Sequence, residues 1–262
     1  MVRGLYTGWT GMVNEQRRLD VITNNMANSD TTGYKKQGVT SQSFDDELTL
    51  RIHTDNEYSG VHYKIGNMNL GVKIGETYHD FSQGSLRETG NTYDLALSGE
   101  GFFTIQFTNK QGETTTKYTR DGSFTVNTEG YLVTKDGDYV LDSNGRSIQI
   151  PGAQTAQNVT FDAKGNLVVD GNNIATLGIA RFDNPQALLL YGENMFDATE
   201  AAGLQADTNT IVHQGYLEMS NTNVIKEMVD MITITRAYEA GQKIVQTMDE
   251  TLEKSVNEIG RV

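Results

Sequence analysis

Residues 224–259 read VIKEMVDMITITRAYEAGQKIVQTMDETLEKSVNEI, and Val224, Met231, Tyr238, Val245, Leu252 and Ile259 recur in them at an unbroken interval of seven. An apolar side chain every seventh position marks the seam of a helix that lies along another helix. Met228 and Val256 suggest a companion row four residues on, which Thr235, Gln242 and Asp249 interrupt. Ile225, Ile232, Ile234, Ile244 and Met248 widen the apolar face. A single helix over 221–259 would be ~60 Å long at 1.5 Å per residue. Such a helix outreaches an ordinary globular domain and needs a partner along much of its length.

The other end of the chain supplies one. Leu5, Trp9, Met12, Gln16, Leu19, Ile22 and Met26 follow spacings of three or four, with Arg3, Glu15, Arg17, Arg18 and Asp20 between them. That spacing predicts an amphipathic helix over 1–28. It ends in Asn28-Ser29-Asp30-Thr31-Thr32-Gly33, a cluster suited to turns, whose glycine can take a positive φ.

Between the helices the period drops from helical to alternating. Phe102–Phe107, Lys117–Arg120, Ser123–Val126, Tyr131–Val133, Tyr139–Leu141, Ser147–Ile150, Val159–Phe161, Leu167–Val169 and Leu177–Phe182 are short strand candidates. Gly122, Gly130, Gly137 and Gly145 punctuate them at intervals of eight, seven and eight, as in a meander of antiparallel hairpins. The expected fold class is α+β: N- and C-terminal helices pairing as a coiled-coil-like domain, with a central all-β domain of short antiparallel strands. The expected divisions are 1–35 for the first helix and its turn, and 36–82 for an irregular or hairpin-forming extension. The β domain takes 83–205, and the return segment and second helix take 206–262.

Composition narrows the function. There is no cysteine, so disulfides, thiolate metal sites and cysteine nucleophiles are excluded. The net charge of −13 is the wrong sign for a nucleic-acid binder. His53, His62, His79 and His213 are scattered, which disfavours zinc. No apolar run reaches the ~20 residues that span a bilayer, and the opening Met-Val-Arg-Gly-Leu-Tyr is not expected to be a secretory signal. Gly99-Glu-Gly101 starts like a dinucleotide fingerprint, but Phe102-Phe103-Thr104 follow where the next glycine belongs. The run Asp136–Gly145 is acidic and glycine-rich, yet an EF-hand register would place Val140 at its first ligand. No nucleophile elbow or zinc-protease motif is present. Paired carboxylates for glycoside hydrolysis stay open, as does a calcium-dependent adhesin, and neither is favoured. The expectation is no catalytic residue, no metal and no cofactor.

One stretch carries family information. Val21-Ile-Thr-Asn24-Asn25-Met26-Ala27-Asn28-Ser-Asp-Thr-Thr32-Gly33-Tyr34-Lys35 closely resembles the N-terminal signature of bacterial flagellar rod and hook proteins. Leu97–Phe103, Tyr118–Phe124 and Gln214–Val224, leading into Met228–Met231 and Arg236–Glu239, resemble further stretches of that family, in the right order. The length is similar to that of the single-β-domain rod proteins, distal type ahead of proximal type. The resemblance implies a structural subunit that self-assembles into the hollow axial shaft between motor and hook. It implies contact with other rod and hook proteins, and passage through the flagellar type III export apparatus without a cleaved signal or membrane insertion. It also marks Asn24, Asn25, Ala27, Asn28, Thr32, Gly33 and Tyr34 as an assembly motif beside the helix seams.

Overall fold

The structure is a computed structural model that describes residues 2–51, 63–109, 112–151, 159–192, 194–206 and 210–259. The chain divides into two units. One comprises Met1–Met26, Gln37–Tyr78 and Val224–Val262; the other comprises Ala27–Lys36 and His79–Asn223.

The first unit holds both long helices. Helix α1 runs Val2–Ala27 and α2 runs Val224–Lys254, continuing as a π-type turn over Ser255–Ile259. The regular part of α2 is therefore shorter at both ends than the 221–259 expected. Glu227 in its first turn and Lys254 in its last complement the helix dipole. Glycines bring the helices together: a Cβ on Gly4 would stand 2.9 Å from Met248, on Gly8 3.1 Å from Val245, and on Gly241 2.8 Å from Met12. As α1 residue numbers rise, the facing α2 numbers fall, so the two run antiparallel.

The half-buried face of α2 differs from the expected one. Met231, Val245 and Leu252 lie on it, but the row beside them is Glu227, Ile234, Gly241 and Met248, three residues on. Met228, Thr235, Gln242, Asp249 and Val256, four residues on, are all exposed. The inner row includes a buried glutamate and a glycine, which hydrophobicity alone does not pick out.

Four strands complete this unit: β1 (Gln37–Ser43), β2 (Glu47–Arg51), β3 (Tyr63–Met68) and β4 (Val72–His79). β1 pairs with β4, and β2 with β3 antiparallel. Of the four scattered histidines, His53 and His62 lie outside the described residues.

The second unit is all β. Its strands are β5 (Leu86–Glu88), β6 (Leu95–Ser98), β7 (Phe102–Thr108), β8 (Thr114–Thr119), β9 (Thr125–Val126), β10 (Leu132–Val133) and β11 (Tyr139–Val140). Then come β12 (Val159–Phe161), β13 (Asn166–Val169), β14 (Asn172–Thr176), β15 (Ile179–Phe182), β16 (Leu188–Gly192), β17 (Met195–Ala198), β18 (Leu204–Ala206), β19 (Ile211–Gln214) and β20 (Tyr216–Glu218). The main sheet has the order β16-β17-β8-β7-β11-β10-β9, with β15 joining β7 to β18. All these pairings are antiparallel. Ser147–Ile150, expected as a strand, forms only single bridges, to Tyr131 and Leu141.

Alternation along β7 separates two cores. Phe103 and Ile105 join Leu95, Leu97, Phe124 and Leu132 on one side. Phe102 faces the other way, among Tyr118, Phe182 and Phe196. The regular glycines serve as expected: Gly130, Gly137 and Gly145 have positive φ. Gly122 is needed for space instead, since a Cβ there would stand 1.7 Å from the Leu95 carbonyl oxygen.

Candidate assembly site

The signature Asn24–Lys35 starts on α1 in the first unit and ends among the strands of the second. On α1, Asn25 is buried and bonds the chain twelve residues later. Its amide donates to the Gln37 carbonyl (2.8 Å) and its carbonyl accepts the Gln37 N–H (2.9 Å). An asparagine offers both groups in one plane and thereby pairs with β1 as a neighbouring strand would. Asn25 is thus a tie between α1 and β1, beyond any cap of its own helix. The same helix presents Asn14 to Ser41 (3.0 Å), Thr7 to the Leu70 carbonyl (3.3 Å), and Thr10 against Gly71. This polar stripe was not expected from the apolar pattern. Asn24 and Ala27 are exposed, and Asn28 accepts a bond from the Thr31 hydroxyl (3.2 Å) in the turn that follows.

In the second unit the signature closes on a buried ionic cluster. Thr32 Oγ1 donates to Asp121 (2.8 Å), and the Gly33 N–H donates to the Glu218 carbonyl (2.8 Å). Gly33 takes φ +68°, and a Cβ there would stand 2.4 Å from the Asp121 nitrogen, so only glycine fits. Tyr34 is buried beside it. Lys35 Nζ then donates to Glu218 Oε1 (2.6 Å) and to the Ser82 carbonyl (2.9 Å). Glu218 Oε1 also accepts the Gly84 N–H (2.9 Å), while Oε2 accepts from Arg120 (3.3 Å). Arg120 reaches on to the Gly99 carbonyl (2.7 Å) and lies over the Phe102 ring at 4.9 Å. The Lys35 and Glu218 side chains are 0% exposed. Burial pushes the Lys35 amine below the usual lysine range, and the Glu218 carboxylate opposes that shift.

All four stretches that carry the family resemblance contribute to this cluster. Lys35 comes from the first, Gly99 and Phe102 from the second, Arg120 from the third and Glu218 from the fourth. The sequence reading singled out the asparagines and passed over the three charges. A signal was present: Arg120 and Glu218 each end a run of strand-forming residues, where a charge needs a partner.

The seam residues divide in their exposure. Leu5, Met12, Leu19, Ile22, Met26, Met231, Val245 and Leu252 are half-buried. Trp9 is 51% exposed and stands on Tyr6, ring centroids 5.8 Å apart; Val224 and Tyr238 are exposed as well. The Ile259 side chain lies outside the described residues. Among the described residues no group of three or more His, Asp or Glu is arranged to hold a metal ion, and no helix is long and apolar enough to cross a membrane.

Three family models match the chain. Residues 5–35 match the family described as flagella basal body rod protein. Residues 96–169 match the flagellar hook protein FlgE/F/G D1 domain, and 213–259 match the flagellar basal body rod FlgEFG protein C-terminal region. The flagellar basal-body rod protein FlgG of Bacillus subtilis is 36% identical, over 98% of this chain and 99% of its own length. FlgG of Agrobacterium fabrum is 34% identical over 95% and 96%, and the basal-body rod protein FlgF of Caulobacter vibrioides 33% over the whole of both. With its signature, β domain and C-terminal helix all matched in order, the chain belongs to the flagellar basal-body rod protein family.

Proposed function

We propose that the chain is a structural subunit of the flagellar rod, polymerising through its terminal helices into the hollow shaft that carries torque from motor to hook. One observation carries the reading: α2 keeps its outer face apolar, with Ile225 76% exposed and Met228, Val229 and Ile232 also in solvent. Contiguous exposed apolar surface on a helix is explained by contact with another molecule. α1 and α2 pair as a coiled-coil-like seam within a subunit, and their outer faces meet neighbouring subunits. Torque passes through packed side chains, with no bound energy source and no catalytic step. Asn25 fixes the first part of the signature against β1 in the helical unit, and Gly33 fixes the last part against Asp121 and Glu218 in the β unit. The subunit reaches its place through the flagellar export channel, where the lack of cysteine keeps the unfolded chain free of cross-links. Among rod subunits, we place it in the distal part.

Electron microscopy and sedimentation of the purified full chain test this reading. Concentration-dependent filaments are the expected result. A chain that stays monomeric at every concentration and ionic strength, and in the presence of rod and hook proteins, overturns it.

A further inference from the structure

α1 carries three stripes. Gly4, Gly8 and Met12 face α2, while Thr7, Thr10 and Asn14 face Leu70, Gly71 and Ser41. The third stripe, Tyr6, Trp9 and Val13, follows the i, i+3, i+7 spacing of one helix face, and all three side chains are exposed. α2 has a matching feature on the side away from α1. Ile225, Met228, Val229 and Ile232 stand at i, i+3, i+4 and i+7, and all four are exposed.

The antiparallel register keeps these stripes apart within one copy. Gly8 lies against Ile244 and Val245, and Met12 against Gly241, so the α1 stripe is level with the second half of α2. The α2 stripe begins that helix, about fourteen residues away, which at ~1.5 Å per residue is about 20 Å along the axis. No rearrangement of an intact pair brings the two stripes into contact. A second copy displaced by that distance does. The helices also differ in charge: α1 has three arginines against two carboxylates, whereas Val224–Glu258 has seven carboxylates against four cations. Unlike helices therefore attract each other across copies, while α2 against α2 is repelled.

We propose that the Tyr6–Trp9–Val13 stripe of one copy docks on the Ile225–Ile232 stripe of the next, a head-to-tail contact between copies of this chain offset by about 20 Å along the helix axis. The proposal rests on the rod-subunit reading and names the surfaces and polarity it uses. Two different patches joined in this way leave one free patch at each end, so the contact propagates instead of closing on itself.

Trp9 is the only tryptophan in the chain, and it lies in the proposed contact. The experiment uses two full-length variants: Tyr6→Glu with Trp9→Glu, which lacks the α1 stripe, and Ile225→Glu with Ile232→Glu, which lacks the α2 stripe. All four positions are exposed, and helix content by circular dichroism checks that each variant folds. Each variant alone is expected to lose polymerisation and sediment as a monomer. Mixed in equal amounts, they are expected to form a dimer that grows no further, because only one intact pair of unlike stripes exists. Trp9 emission in the mixture, which arises from the second variant alone, shifts to the blue on dimer formation. Filaments from either variant, a homodimer of either variant alone, or a mixture that stays monomeric overturns the proposal. Failure of the parent chain to polymerise would count against the rod reading, and the paired-variant dimer would still report on the contact.

Discussion

The two units differ in whether they bury an apolar core of their own. In the β unit, Leu95, Leu97, Phe103, Ile105, Leu132 and Leu167 are inaccessible to solvent, and the core is continuous around them. In the helical unit the fully buried side chains, among the described residues, are Thr10, Asn14, Asn25, Ile234 and Glu227, four of the five polar. Apart from Ile234, its large apolar side chains, among the described residues, are half-buried or exposed. A domain stabilised by its own apolar core resembles the first case. The second is a surface with hydrogen-bonded spacers inside and apolar stripes outside, whose burial awaits other chains. The contrast separates what folds from what assembles, and each prediction below presses on one side of it.

The largest expected effect is on assembly. Replacing Val245 and Leu252 with aspartate puts carboxylates into the half-buried face where Gly8 meets α2. A charge left unpaired in such a contact costs several kcal/mol even after relaxation, repeated in every subunit. Filament yield by electron microscopy should fall to nothing, while strand content and melting of the β unit by circular dichroism stay at the parent level. Normal filaments would show that this face is not a seam; loss of the strand signal would show that the two units do not fold separately.

The next effect falls on the β unit. Glu218→Ala leaves Lys35 and Arg120 as neighbouring buried cations with no carboxylate between them, and also frees the Gly84 N–H. Removing one member of a buried ion cluster costs about 3–5 kcal/mol. Urea unfolding followed by circular dichroism should show a loss of that order, with Glu218→Gln losing less because its side-chain oxygen still accepts a bond. A Glu218→Ala variant that unfolds like the parent would mean that the cluster contributes nothing net to the fold.

A smaller change tests the helical unit. Asn25→Leu removes both bonds to Gln37 and leaves that backbone N–H and C=O unpaired beside an apolar side chain. The penalty is about 1–3 kcal/mol for each unsatisfied group, confined to the tie between α1 and β1. Hydrogen exchange at the Gln37 amide should accelerate, and filament yield should drop, while the melting of the β unit holds. Unchanged exchange at Gln37 would contradict the role given to Asn25.

Legibility in the sequence followed the same division. Both helices were read from their periods, and α1 stops where Asn28–Gly33 said it would. The hairpins around Gly130, Gly137 and Gly145 were visible because a positive φ leaves a residue-type mark. Features set by tertiary contact were not visible. Glu227 and Gly241 belong to the inner row of α2, but neither scores as apolar, so a row four residues on looked the better companion. The polar stripe on α1 resembles a solvent face until β1 is placed against it. Lys35 and Glu218 are 183 residues apart, a pairing that no local pattern encodes. Leu188–Tyr191 was not among the strand candidates, although β16 forms an edge of the main sheet.

The mildest test acts on the β unit through protons. His79 packs edge-on to Phe196, at 5.6 Å between ring centroids, and near Phe81 at 6.0 Å. Its Nδ1 is buried with no hydrogen-bond partner among the described residues. Burial pushes the imidazole below the ordinary value of 6.5, and a hydrogen bond to the Lys35 backbone offsets this only in part. The folded chain therefore binds this proton less readily than the unfolded chain does. Between the lowered folded value and 6.5 the unfolded state holds more protons, so stability rises with pH across that window and falls on acidification through it. Asp80 and Asp142 are shifted below 3.8, so their contributions are lost only in stronger acid and leave this window clear. The melting temperature of the β unit should decline as pH drops below about 6.5, the ordinary histidine value. His79→Leu should flatten that decline by replacing the ring with an apolar side chain that does not titrate. An equal decline in parent and variant would assign the acid sensitivity to other groups and leave His79 as packing alone.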